Sequence, residues 1–371
     1  MAKLPDLCKI QYGYAFDSAC FTENNRFLPL VRIRDVKRGY SETFYSGNYP
    51  EEYIIDNGSL LIGMDGEFNI ARWKGGKALL NQRVCKISAK DTVNEEYIRF
   101  ALSKALKEIE ARTAFVTVKH LSAKELNRLE INIPDYETQT DISAILTKIE
   151  LVVTIRQQQL QKLDELVKAR FVEMFGDPIT NTKGWKIEKA EKHIDLLSGF
   201  PFDSSRYTQY GVKICGGLII MPQRIDWDSC KYWSSIEGFE EYTLQEKDIV
   251  MALDRPWISD GFKIAMVDAD ELPALLIQRT VRIRAVDINQ YYLMYCFVLG
   301  GFEGHCNVTG SLVPHISAKD IRSFPIMLPP IQLQNQFAAF VEQIDKSKAA
   351  IQKALDEAQL MFDSLMQKYF G

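Results

Sequence analysis

Amide and basic side chains recur at matching places in the two halves of this chain. Gln82-Arg83 reappears as Gln278-Arg279, and His120 reappears as His315. Arginine can contact guanine with two hydrogen bonds and glutamine can read adenine, whereas lysine, histidine and serine more often hold phosphate. The duplicated positions therefore predict nucleic-acid contacts at Gln82, Arg83, Lys119, His120, Gln278, Arg279, His315 and Ser317.

A structural role is the alternative for these duplicated residues. Two units that read different bases have more reason to share residues that shape the fold or grip the phosphate backbone than residues that read sequence. Sequence-reading side chains are therefore expected where the two copies differ. The candidates there are Arg34, Asn69, Arg72, Lys74, Arg224, Arg255, Trp257 and Lys263. Trp73 and Trp257 are interpreted as exposed loop residues beside basic ones, although a tryptophan is more often a core residue.

Motifs for catalysis or cofactor binding are absent from the sequence. It contains no G-x-G-x-x-G, no P-loop and no G-x-S-x-G. The four histidines form no i,i+4 pair and do not cluster with cysteines. We therefore expect no catalytic residue, no metal and no cofactor in this chain, and no enzyme activity of its own.

An internal repeat organises the chain. The matching stretches are 13–21 (GYAFDSACF) with 199–207 (GFPFDSSRY), 81–87 (NQRVCKI) with 277–283 (IQRTVRI), and 119–134 with 314–329. The separation between copies drifts slightly, which places small insertions and deletions in loops. The chain is predicted to be globular unit, long helix, globular unit, long helix.

Each globular unit is predicted to be an α+β domain. Short, alternating strands are expected at 28–33, 59–64, 84–87, 249–253 and 280–283. Helices are expected near 94–112 and 290–300. The sheets should be mixed or antiparallel. The predicted domains cover residues 1–136 and 177–330.

Two long helices are predicted at 137–176 and 331–371. Their apolar residues step by three or four, a period of about 3.5 that is typical of a helix packed lengthwise on another. Arg156 and Arg170 interrupt the first seam. Roughly 37 residues at about 1.5 Å each make a rod of about 55 Å. We expect the two helices to pair as an antiparallel coiled coil that joins and spaces the two domains with pseudo-two-fold symmetry.

The length and composition limit the classes of protein to which this chain can belong. The chain has 371 residues, and 46% are hydrophobic, which is enough for two or three domains. Seven cysteines without a C-x-x-C predict free thiols in a reducing cytoplasm. No apolar run is long enough for a membrane span and no signal peptide follows Met1, so we expect a cytoplasmic protein without membrane contact. The net charge of −4 leaves nucleic-acid binding possible, because local patches decide it.

The whole arrangement resembles the specificity subunit of a type I restriction–modification system. The resemblance rests on several motifs: GYAFDSACF and GFPFDSSRY near the start of each unit, LLIGMDGEF with LLNQRVCKI, IVMALDRP with LIQRTVRI, and HLSAKEL and HISAKDI before each helix. In that family each globular unit is a target-recognition domain, and the long helices space the two domains.

The resemblance implies a function and partners. Each domain would read one half of a bipartite site in double-stranded DNA and direct partner subunits to methylate adenine or cleave DNA. Two methyltransferase subunits and two motor-nuclease restriction subunits would join the chain. S-adenosylmethionine, ATP and Mg²⁺ would bind to those partners. The half-sites are expected about one duplex turn apart, as in other two-fold readers.

Two alternatives stay open at this point. Nothing in the sequence separates type I from the specificity subunit of a type II system in which one partner chain carries both nuclease and methyltransferase. A duplicated protein-interaction scaffold without a DNA role is the second alternative, and the near-neutral charge permits it.

Overall fold

The computed structural model of the chain describes residues 1–112, 119–310 and 313–371. The contacts divide it into two compact units, and each is described by itself. Unit 1 contains Met1–Gln157 and Lys353–Gly371, and unit 2 contains Gln158–Gln352. Each unit therefore combines one globular domain with a segment of both long helices. The four segment boundaries predicted from the sequence stay a prediction.

The first globular domain contains short strands and four helices. The strands are β1 (Ala2–Lys3), β2 (Cys8–Tyr12), β3 (Phe21–Thr22), β4 (Leu28–Val31), β5 (Phe44–Tyr45), β6 (Ile54–Ile55), β7 (Leu60–Gly63), β8 (Ile70–Arg72), β9 (Ala78–Leu80), β10 (Val84–Ala89) and β11 (Glu130–Ile131). The helices are α1 (Leu4–Leu7), α2 (Ile33–Arg38), α3 (Glu95–Arg112) and α4 (Ala123–Arg128), and the long helix α5 (Tyr136–Phe175) follows them.

The second globular domain has a related arrangement with more strands, and its helices all follow the penultimate strand. Its strands are β12 (Ile187–Lys189), β13 (Ile194–Ser198), β14 (Val212–Cys215), β15 (Ile220–Met221), β16 (Arg224–Ile225), β17 (Lys231–Trp233), β18 (Ile249–Ala252), β19 (Trp257–Ile258), β20 (Gly261–Phe262), β21 (Ile264–Met266), β22 (Ala274–Leu276), β23 (Thr280–Ala285) and β24 (Pro325–Met327). The helices are α6 (Gln290–Leu299), α7 (Phe302–His305) and α8 (Ala318–Ser323), and the long helix α9 (Ile331–Phe370) follows them.

The main sheets and the terminal strand pairs of the two domains correspond, whereas the smaller sheets differ in strand number. The main sheet is antiparallel, with the order β2-β10-β7-β8 in the first domain and β13-β23-β18-β21 in the second. A smaller sheet contains one parallel pair, β4 with β9 or β14 with β22. The first and last strands pair as β1-β11 and β12-β24. The predicted fold class is confirmed: two similar α+β domains, an internal repeat and two long helices.

The central strands β7 and β18 are buried on both faces, so the predicted alternation is wrong for them. Leu60 and Ile62 belong to the core under the helices, whereas Leu61 belongs to the core shared with the smaller sheet. Ile249 and Val250 divide in the same way. A strand covered on both faces is apolar at every position, and its residues then carry no two-residue period.

The seams of both long helices are confirmed. In unit 2 they bring α5 and α9 together in antiparallel directions, because Phe171 packs on Phe337 at 5.4 Å between ring centroids while Lys348 pairs with Asp164. Arg170 lies within the seam, with its guanidinium 5.8 Å from the centre of the Phe340 ring. Its ionic partner is Glu173 of the same helix, at 2.8 Å.

In unit 1 the last turns of α9 pack on the first globular domain. The ring centroids of Phe362 and Phe100 are 6.0 Å apart, and those of Phe370 and Tyr97 are 5.0 Å apart. Arg99 also binds Glu150 of α5 through two hydrogen bonds of 3.0 and 2.7 Å. Helix α3 thus contacts the segments of both long helices that belong to its unit.

A buried glutamine near the start of each long helix fixes it to its domain. Gln139 is 1% exposed; its Oε1 accepts from the Asn94 backbone N–H (2.9 Å) and its Nε2 donates to Pro134 O (2.8 Å). Gln334 repeats these contacts with Asn289 (2.9 Å) and Pro329 (2.8 Å). Asn94 and Asn289 begin the helices α3 and α6, and their side chains accept hydrogen bonds from the first turn.

The glutamine contacts lead to a stability prediction. Gln334→Leu keeps much of the side-chain volume but leaves a buried backbone donor and acceptor unpaired. We expect it to lower the free energy of unfolding by about 1–3 kcal/mol. The control is Gln336→Leu, at an exposed position of the same helix. Urea unfolding followed by circular dichroism measures both, and an equal loss in the two variants would contradict the role given to Gln334.

Candidate nucleic-acid interface

Three side chains meet in the first domain and are called the first triad: Asp65, Arg83 and His120. Asp65 Oδ1 lies 2.5 Å from His120 Nδ1. Arg83 Nε lies 3.6 Å from Asp65 Oδ2, and Arg83 Nη1 lies 3.1 Å from His120 Nδ1. The three residues come from the end of β7, the turn before β10 and the segment before α4. The triad joins parts of the chain that are distant in sequence.

The second triad consists of Asp254, Arg279 and His315 and repeats the two contacts of the aspartate. Asp254 Oδ1 lies 2.7 Å from His315 Nδ1 and 3.6 Å from Arg279 Nη1. The arginine side chains of both triads are more than half exposed, 52% for Arg83 and 64% for Arg279. Each triad therefore presents an oriented guanidinium to solvent. A carboxylate fixes its position without covering it.

The same backbone hydrogen bonds support both triads. Met64 N donates to Arg83 O (2.8 Å), and Leu253 N donates to Arg279 O (2.9 Å). Isolated bridges pair Asp65 with His120 and Asp254 with His315. The duplication thus includes the backbone that positions the side chains.

Both arginines hold a backbone conformation that favours glycine. The φ angle is 70° at Arg83 and 67° at Arg279. Such left-handed conformations are uncommon for non-glycine residues and cost free energy. The turn itself would form more easily with glycine, so the presence of arginine in both copies points to a requirement for the side chain.

A cleft beside the first triad is lined by several arginines and is called the arginine cleft. Its volume is about 420 Å³, and its lining residues are Phe16, Ser18, Phe21, Arg32, Ile33, Arg34, Asn81, Gln82 and Arg83. None of the described residues that form this lining is acidic. The predicted residue Arg34 therefore meets the distant pair Gln82 and Arg83 at one concave surface, whose charge suits an anionic or acceptor-rich ligand.

Five other predicted residues lie outside this cleft, and three of them, Lys74, Arg224 and Arg255, are exposed. Lys74 follows β8, Arg224 begins β16, and Arg255 adjoins Asp254 of the second triad. Gln278 turns partly inward, with its Nε2 3.5 Å from Phe202 O. Asn69 is half-buried, and its Nδ2 donates to Glu67 O at 3.1 Å. A role for these five residues in nucleic-acid binding stays a prediction.

Lys263 and Arg72 make contacts within their domains, and their role in nucleic-acid binding stays a prediction. Lys263 is 6% exposed and its Nζ donates to the backbone oxygen of Gly217. Burial lowers the pKa of Lys263, and the nearby charge of Arg255 adds to this effect. Arg72 pairs with Glu95 at 2.8 Å and with Glu96. Both side chains satisfy local charge or backbone groups.

Four further side chains serve the fold in this structure. Ser317 caps α8 together with Asp320, whose carboxylate accepts from Ser317 N at 2.8 Å. Lys119 pairs with Glu110 at 3.0 Å. Trp257 stacks on Phe262 with ring centroids 5.3 Å apart. Trp73 is buried, so its interpretation as an exposed loop residue is wrong.

Asp65 and Asp254 of the two triads and Asn81 of the arginine cleft were not among the residues predicted from the sequence. A signal for the two aspartates was available, since the matching stretches IGMD and MALD both end in aspartate after an apolar run. Asn81 corresponds to Ile277 in the other copy, so duplication could not reveal it. Among the described residues there is no group of three or more potential metal ligands, and no helix is long and apolar enough to cross a membrane.

Comparisons with known proteins agree with this architecture. The family described as the type I restriction modification DNA specificity domain matches residues 1–165 and 226–359. The EcoBI specificity subunit of Escherichia coli is 37% identical over 166 residues, which are 44% of this chain and 35% of that protein. This chain therefore matches about a third of the length of that relative.

Two further comparisons cover most of the chain. The MjaVIII specificity subunit of Methanocaldococcus jannaschii is 23% identical over 330 residues, which are 82% of this chain and 78% of that protein. The crystal structure of a type I restriction–modification S subunit from M. genitalium covers 100% of this chain and 95% of its own, with a TM-score of 0.61 and 14% identity. At that identity the structural match supports the fold alone. With its two matched regions, the chain belongs to the family of the type I restriction modification DNA specificity domain.

Proposed function

We propose that this chain is the sequence-specific, double-stranded DNA-binding subunit of a type I restriction–modification complex and is not itself an enzyme. The observation that carries the proposal is the presence of one Asp–Arg–His triad, with an exposed and oriented guanidinium, on each of two similar domains. Each domain reads one half of a bipartite site. The named relatives are specificity subunits of type I enzymes, which favours this assembly over the type II alternative.

The two triads are proposed to hold the DNA backbone. They are the same in both domains, whereas domains that read different half-sites must differ in their base contacts. Arginine donates to phosphate from a planar fork that is always charged. The carboxylates of Asp65 and Asp254 orient the two guanidinium groups before DNA arrives, which limits the side-chain entropy lost on binding.

Partner subunits are proposed to supply the chemistry. Two methyltransferase subunits would bind S-adenosylmethionine, and two restriction subunits would use ATP and Mg²⁺, in the cytoplasm where host DNA lies. One feature of unit 1 supports a protein partner on the long helix. The first half of α5 exposes the apolar side chains Ile145, Leu151, Val152 and Ile155, outside the seam. Exposed apolar patches of this kind mark protein interfaces.

The backbone contacts can be tested through salt dependence. We expect Arg83→Ala and Arg279→Ala each to weaken duplex binding for all sequences, because each removes a phosphate contact. Each should also reduce the slope of log affinity against log salt concentration by about 1. Fluorescence anisotropy with the chain coexpressed with its methyltransferase, between about 50 and 200 mM KCl, measures this slope.

The control for that experiment is Arg128→Ala, an exposed arginine on α4 outside both triads. It should keep the slope of the unmodified complex. A complex without salt-dependent duplex binding would contradict the proposed function. Unchanged slopes in the two triad variants would contradict the triads' role alone.

The long helices are proposed to set the gap between the half-sites. A seven-residue insertion preserves a seam with a period of 3.5 and adds about 10 Å at 1.5 Å per residue. One heptad would be inserted between Gln157 and Gln158 and another between Gln352 and Lys353. These two positions are the boundaries between unit 1 and unit 2. We expect the unread gap to grow by roughly three base pairs of 3.4 Å each.

Sequencing of methylated DNA from cells that express the double insertion measures the gap. A variant with heptads of altered charge but unchanged length serves as the control and should keep the original gap. An unchanged gap in the longer variant, with both half-sites still recognised, would show that the helices do not set the spacing.

A further inference from the structure

The floor of the arginine cleft contains a buried polar group without a partner. Asn81 is 7% exposed, and its Oδ1 has no hydrogen-bond partner among the described residues. An unpaired buried polar atom costs free energy, so its presence needs an explanation. It lies at a surface that already collects exposed hydrogen-bond donors. A ligand that reaches the cleft would therefore find an unpaired amide below and guanidinium groups at the rim.

The second domain replaces the polar groups of this cleft with other residue types. The strand register aligns the two copies. Val31 pairs with Leu80 in the first domain, and Cys215 pairs with Leu276 at the corresponding place in the second. The residues that follow are Arg32, Ile33 and Arg34 in the first copy and Gly216, Gly217 and Leu218 in the second. The isolated bridges likewise match Asn81 with Ile277. The cleft thus differs between copies while the triad beside it does not.

Arg34 is the rim residue best placed to reach a base. Its side chain is 56% exposed, and its Nε lies 3.7 Å from the buried carboxylate of Asp35. One terminal nitrogen lies 3.3 Å from Thr43 Oγ1. These contacts orient the guanidinium at the mouth of the cleft. Arg83 is held by its triad, and Arg32 is less exposed, at the start of α2.

We propose that the arginine cleft reads a G·C base pair in the half-site of the first domain. Arg34 donates to O6 and N7 of guanine in the major groove. The oxygen of Asn81 accepts a hydrogen bond from a water molecule that bridges to the exocyclic amine of the paired cytosine. Groups on both bases of the pair are then satisfied. An A·T pair presents the N6 donor of adenine in place of O6 and the O4 acceptor of thymine in place of the cytosine amine, while N7 is an acceptor in both purines.

The second domain should prefer a different base at the corresponding place. Leu218 is 93% exposed, and Lys263 Nζ donates a hydrogen bond to the backbone oxygen of Gly217, the residue before Leu218. An exposed apolar side chain on a supported turn suits contact with the methyl group of thymine. This contrast explains how one fold can carry two specificities. The inference rests on the proposed function, because it assigns base-reading residues to a DNA-binding domain.

Replacement of cleft residues by their counterparts tests the inference. The variants are Arg34→Leu and Asn81→Ile, and Arg128→Leu is a matched loss of charge outside the cleft. Each chain, coexpressed with its methyltransferase, selects duplexes from a library with a random core, and the bound sequences are counted. We expect Arg34→Leu to reduce the preference for G·C at one position by about tenfold or more and to leave the other half-site unchanged.

Asn81→Ile should relax the same position, and Arg128→Leu should keep the preference of the unmodified chain. Thermal melting checks that Asn81→Ile is folded. The Arg34→Leu variant tests the inference by itself, because Arg34 is exposed and its replacement leaves the core unchanged. An Arg34→Leu variant that keeps the original preference, or loses affinity equally for all sequences, overturns the inference. An unmodified complex that selects no sequence overturns the proposed function instead.

Discussion

Each globular domain depends on a hydrogen-bonded junction with its long helix. Gln139 and Gln334 are almost completely buried, and each joins a proline carbonyl to the backbone N–H of the asparagine that directly precedes a domain helix. The hydroxyls of Tyr97 and Tyr292 add a second duplicated link, to Asn132 O (2.8 Å) and Met327 O (2.9 Å). Because a buried amide tolerates little displacement, each domain keeps a fixed orientation on its own helix segment.

The interior of each domain transmits that orientation to the candidate interface. The central strands β7 and β18 are packed on both faces, and the aspartate of each triad is the second residue after the strand end. A strand packed in this way has little freedom to shift. The two exposed guanidinium groups are therefore supported by the most rigid part of their domains. The residues proposed to read bases lie outside the central strands, where they can differ between the domains without disturbing those strands.

Features that depend on local periodicity or on duplication could be predicted from the sequence. The seams of the long helices, the repeat and most of the strand positions belong to this class. Arg83 and Arg279 were predicted as candidates in the same way, because the same Gln-Arg pair occurs at matching places in both copies. The structure adds that both arginines have a strained, positive φ angle and that each contacts an aspartate carboxylate in its own domain. The sequence around either arginine shows neither feature.

Features that depend on distant partners could not be predicted. Arg72 and Lys263 have the residue types of DNA contacts, but their partners, Glu95 and Gly217, become neighbours only in the folded domain. Burial of Trp73 has the same origin, since the surrounding core draws on several strands. Asn81 gave no signal because its counterpart is an isoleucine. Chemistry that differs between the copies is visible only when the strand register aligns them.

The central claim is that two domains with a shared backbone grip and different base contacts read two separate half-sites. Single-molecule sequencing of host DNA methylated by the complex tests it most directly. The account predicts one asymmetric motif with two specified segments, about one duplex turn apart between centres, and an unspecified gap between them. A single continuous motif, or methylation without a sequence motif, would contradict it.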